Sequence, residues 1–120
     1  MPTTDESQSD LQDSLDSFAE SCNGNVRLMA MIKDWNRVMH IQATDLGTEV
    51  SLITLDGAVT AAPGAPPAAD LVLSSTAEIL TQIFYGELSP NDPYNDGTLR
   101  IQGPQDDIVR LDFVIAMLWD

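Results

Sequence analysis

Asp56-Gly57 stands between two strand-like runs, Glu49–Leu55 and Ala58–Ala62, and that arrangement leaves the chain few options. A two-residue Asp-Gly link is the tightest connection two antiparallel strands can share, and its positive backbone angles suit their twist. A hairpin is therefore expected over 49–62. Upstream, Arg37–Thr44 alternates, with Met39, Ile41 and Ala43 on one side and His40, Gln42 and Thr44 on the other. That is a half-buried strand. Asp45-Leu46-Gly47 turns it into the hairpin, so the centre of the chain reads as an antiparallel meander.

Punctuation then divides the rest. Pro63-Gly64-Ala65-Pro66-Pro67 cannot join a central ladder and reads as a loop, followed by a fourth strand over Asp70–Ser74. Ser75, with Glu78 three residues on, fits a capping box, and Ile79, Leu80, Ile83 and Phe84 share the face of a helix that Gly86 stops. Ser89–Gly97 is rich in Pro, Asn and Asp and reads as a loop; Thr98–Gln102 alternates as a fifth strand. Before the meander, Leu11, Leu15, Phe18 and Cys22 form one helical stripe, and a second short helix with Val26, Met29, Ala30 and Ile32 follows the break at Asn23-Gly24-Asn25. Residues 1–10 are polar without period and are expected to be an unstructured acidic tail, leaving 11–120 as one α+β domain of order αα-βββ-β-α-β-α.

The final helix, opened by Asp106 and Asp107, is apolar on more than one side. Ile108, Leu111, Ile115 and Leu118 share a face, while Val109, Phe113, Ala116 and Met117 occupy much of the other. Covering a sheet takes one stripe. The second must meet other helices, a partner chain or a ligand.

Composition removes several function classes. The 19 acids against 5 Lys and Arg give a formal charge of -14, which repels nucleic acid and anionic surfaces, so no nucleic-acid partner is expected. Such acidity serves solubility or a high-salt habitat. No run approaches the roughly eighteen apolar residues of a membrane span, and no basic-then-apolar leader is seen, so the chain is expected to be cytoplasmic without membrane insertion. With one Cys and one His, Cys22 and His40, there is no disulfide, no structural zinc set and at most one imidazole base. Asp92–Gly103 superficially matches a calcium loop, but Tyr94 and Gly103 fall where ligands belong. No cofactor, metal or catalytic group is assigned.

Four segments, taken in order, resemble the sterol carrier protein type 2 family. They are Arg37–Asp45 with Leu55-Asp56-Gly57, then Ala69–Leu73, then Glu78-Ile79-Leu80 with Ile83–Leu88, and last Gly97–Gly103. The resemblance covers Val26 to the C-terminus. It implies a five-stranded, mainly antiparallel sheet with helices over one face and an apolar tunnel between them. It also implies non-catalytic binding or transfer of a sterol, fatty acid or fatty acyl-CoA. On that resemblance the lipid-binding residues are Ile79, Ile83, Phe84, Leu99, Ile101, Phe113 and Met117, with no catalytic residue. The other role it implies is an accessory subunit docking on an enzyme of lipid or quinone metabolism. Asn91–Asn95 with Asp96 is more polar than the family's usual link to its last strand.

Overall fold

A computed structural model describes the backbone of residues 4–119 and the side chains of 10–118. The hairpin forms as expected: β2 (Thr48–Leu55) and β3 (Ala58–Pro63) pair antiparallel, Leu55 opposite Ala58. Asp56 and Gly57 have φ of 53° and 84°, positive at both central positions as this turn requires. Gly57 also lies beneath α2 (Val26–Met31), where a Cβ would sit 3.0 Å from the Met29 carbonyl oxygen.

The sheet runs β3-β2-β1-β4-β5, with β1 (Arg37–Ala43), β4 (Leu71–Ser75) and β5 (Arg100–Gln102) completing it. β1 pairs antiparallel with β2 and parallel with β4, and β5 closes the far edge antiparallel to β4. Asp70 fixes the start of β4: its carboxylate accepts from Val38 N at 2.9 Å and its N–H donates to Val38 O at 2.8 Å. Strict alternation puts Met39, Ile41, Leu52, Val59, Leu71 and Leu73 on one buried face. His40, Gln42, Ser74 and Arg100 lie on the other.

The helices cover that apolar face. α1 (Thr4–Asn23) lies between β3 and α3 (Ala77–Phe84), burying Leu11, Leu15, Phe18 and Cys22, the stripe expected from spacing. It begins earlier than that stripe does. The segment expected to be a tail is helical from Thr4, with no glycine or proline to interrupt it, and residues 1–3 lie outside the described residues. The Asn23 amide closes the other end, donating to Val59 O at 2.8 Å and accepting from Val59 N at 2.7 Å.

Two details differ from expectation. Thr76, not Ser75, caps α3, its hydroxyl accepting from Ile79 N at 3.2 Å. Ser75 is held in β4 by pairing with Ala43, and its hydroxyl donates to Thr98 O instead. The Pro- and Asp-rich segment contains a short helix, α4 (Asn91–Asp96), ended by left-handed Gly97 at φ 88°. Pro93 stands in its first turn, where no backbone N–H is needed, so a composition typical of loops is compatible with helix there.

Candidate functional site

The space between β4, β5, α3 and the last helix, α5 (Gln105–Trp119), is shaped by how each helix is fixed. α3 is held at its start, where Asp45 Oδ1 also accepts from Ala77 N at 3.0 Å. Its inward side chains are Leu80, Ile83 and Phe84, and the Phe84 ring meets Phe18 of α1 edge-on, centroids 5.1 Å apart at 77°. That contact fixes α3 against α1.

Among the described residues, the polar groups that fix α5 are at its N-terminal end. Asp107, 6% exposed, accepts from Trp35 Nε1 at 2.9 Å and from Arg37 Nε at 3.0 Å to each carboxylate oxygen. Burial pushes this carboxyl up, but the Trp35 and Arg37 hydrogen bonds and the Arg37 and Arg110 charges outweigh it and hold it below the ordinary range. Arg110 donates to Met31 O at 3.2 Å and places its guanidinium 6.0 Å from the centre of the Trp35 ring. Beyond Arg110, no described side chain of α5 hydrogen-bonds to the rest of the molecule, and Leu111, Val114 and Ile115 hold it by burial.

Under α5 lies an apolar cavity of about 20 Å³, walled by Leu73, Ile83, Phe84, Leu99, Leu111 and Ile115 among others. A cleft of about 360 Å³ adjoins it by Gly86, Leu88 and Ala116. Another, of about 170 Å³, adjoins it by Tyr94, Ile108 and Val109. Pro90 and Asp112 are walls of all three. The three spaces lie side by side along one flank of α5 and together mark a seam, the smallest of them being the apolar cavity.

Of the residues expected to bind lipid, Ile83, Phe84, Leu99 and Ile101 come together around the cavity. Ile79 and Met117 are half-buried against the core and do not wall it. Phe113 points away, 60% exposed, and with Val109 at 55% and Met31 it frames a surface depression of about 260 Å³ on the outer side of α5. The seam takes its helical wall from Leu111 and Ile115 instead. Those two belong to the stripe of Ile108, Leu111, Ile115 and Leu118, not to the one that holds Phe113 and Met117. Leu73, Leu80, Pro90 and Asp112 are further walls outside the expected set, and for Asp112 interruption of the apolar faces was the available signal.

The groups considered for chemistry lie elsewhere. Cys22 is buried in the core, and burial pushes its thiol up to about 12, so it does not supply a thiolate. His40 is on the far face of the sheet, its Nε2 3.3 Å from Glu49 Oε1. Asp96 accepts from Thr98 Oγ1 at 2.7 Å and Thr98 N at 2.9 Å, which hold its carboxyl below the ordinary range. It ends α4 and does not form part of an open calcium loop.

Several solved structures share this architecture. The UbiJ-SCP2 ubiquinone synthesis protein superposes with a TM-score of 0.68 at 14% identity, over 92% of this chain and 94% of that one. The sterol carrier protein domain 2 of Helicoverpa armigera gives 0.66 at 15% identity, over 92% and 88%. The sec-alkylsulfatase Pisa1 from Pseudomonas sp. gives 0.60 at 20% identity over 72% of this chain, which spans only 14% of the sulfatase. At these identities what is shared is the fold. No curated protein matches. The sequence profile of the SCP-2 sterol transfer family matches residues 18–112. That match reaches from the last part of α1 into α5 and takes in every strand and the seam walls up to Asp112, and it supports lipid binding or transfer as the general class of activity. The chain therefore belongs to the SCP-2 sterol transfer family.

Proposed function

We propose that the chain is a non-catalytic carrier that receives the hydrocarbon part of a lipid in the seam between α3, β5 and α5. The observation that carries this reading is that the apolar cavity and two neighbouring clefts share the walls Pro90 and Asp112 along one flank of α5. The family profile supports it independently.

The small central volume is consistent with the role. An empty apolar void of about 300 Å³, the lower bound of ordinary ligand pockets, would cost about 7 kcal/mol. That approaches the whole stability of a domain, so a carrier of this size keeps its seam closed until hydrocarbon enters. Hydrocarbon then supplies about 0.8 kcal/mol per buried methylene, enough to part side chains held by packing alone. Leu111→Trp fills the cavity and should abolish uptake of a fluorescent lipid while leaving the circular-dichroism spectrum unchanged. Undiminished uptake by that variant would remove the seam from the mechanism.

A second reading has its own observation. Val109, Phe113 and Met31 expose apolar surface on the outer side of α5, where an accessory subunit would present a docking face to an enzyme of lipid or quinone metabolism. The two readings use opposite sides of α5. Phe113→Ser should leave lipid uptake intact and weaken only such docking.

A further inference from the structure

We infer that the seam selects amphiphiles with an uncharged or cationic head group, such as a hydroxyl or an amine, over free carboxylates and phosphates, and that Asp112 sets this preference. The inference rests on the carrier reading above and adds the class of ligand to it.

The chain has five Lys and Arg residues, too few to be dispersed everywhere. Arg27 and Lys33 are exposed on α2 and in the turn after it. Arg37 is committed to Asp107 at 3.0 Å. Arg110 leaves α5 on the side of Met31 and Trp35 and is bonded there. Arg100 neighbours Ile101 in β5, and since Ile101 faces the seam, alternation puts Arg100 on the opposite face of the sheet. His40 shares that far face. Consequently no Lys, Arg or His is among the walls of the cavity or of either adjoining cleft.

Asp112 is a wall of all three spaces and, among the described residues, the one charged residue of those walls. No hydrogen bond or ion pair engages its carboxylate among the described residues, so its acceptor oxygens are available to a ligand. A hydroxyl or ammonium head drawn to either cleft can donate to it, forming a charge-assisted hydrogen bond. A carboxylate or phosphate head would instead approach an uncompensated like charge on a chain of net charge -14. Asn91 and Tyr94, on the cleft walls, add neutral polar partners and no counter-charge.

The test holds the hydrocarbon constant and varies the head. Palmityl alcohol, palmityl amine and palmitate compete with a fluorescently labelled palmityl alcohol for the full chain at neutral pH and moderate salt. Alcohol and amine should bind about tenfold more tightly than palmitate. Asp112→Asn should close most of that gap by tightening palmitate. Glu20→Gln, which removes the same charge from the exposed side of α1, should leave the gap in place and so separate the local effect from net charge. Palmitate binding as tightly as the alcohol in the unmodified chain, or a gap untouched by Asp112→Asn, overturns the head-group assignment while the carrier reading stands. If none of the three binds, the carrier reading itself fails and the assignment falls with it.

Discussion

A carboxylate withdrawn from water needs compensation, and Asp107 receives it from an indole N–H, the Arg37 Nε–H shared between its two oxygens and a second nearby arginine. The residues concerned lie about seventy positions apart in the chain, so this one side chain ties the entry to β1 to the start of α5. Asp107→Asn keeps the shape and loses the charge; in urea unfolding at pH 7 it should cost about 2 kcal/mol. The sign of the pH dependence follows from the depressed carboxyl. Its stabilisation is complete above the unfolded value of about 3.9, is lost as pH falls through the lower folded value, and is unaffected by raising pH from neutrality. The gap between the two proteins should therefore shrink toward pH 3, and a constant gap would mean the charge is not what matters.

At the level of elements, α5 is held unevenly, with polar anchors at Asp107 and Arg110 and, among the described residues past Leu111, packing alone. Packing against a ligand can replace packing against the protein, whereas the anchors have no substitute, so α5 should open from its C-terminal end. Hydrogen exchange should be measurably faster for amides after Asp112 than for the turn around Arg110, and bound lipid should remove the difference. Uniform protection along the helix would rule this hinge out. The strands and the Asp56-Gly57 turn were legible because alternation and turn chemistry are local properties. The parallel pairing of β4 with β1 and the one-turn helix at Asn91–Asp96 were not, since the first depends on which edge is free and the second on a proline that happens to fall in a first turn. The walls of the candidate site were half legible. Ile83, Phe84, Leu99 and Ile101 follow from their elements' inward faces, but the rotation of α5, which turns Leu111 and Ile115 inward and Phe113 outward, is set by the Asp107 and Arg110 anchors, and those involve partners no periodicity names.

For the molecule as a whole, self-repulsion is the dominant long-range term. With a net charge of -14, raising sodium chloride from about 0.1 M to about 1 M, which shortens the Debye length from about 10 Å to about 3 Å, should raise the melting temperature. A flat response would show that the acids are too dispersed to oppose folding. Mutual repulsion also keeps copies of the chain apart, and salt weakens that safeguard as it strengthens the fold. The Asn23 amide then matters in another way. Val59 turns its N–H and C=O outward from the rim of the sheet, and Asn23 occupies both, as a visiting strand would. A chain without that amide offers a template to any extended segment nearby, so in strong salt its first failure would be accretion of one molecule on another, before any loss of its own structure.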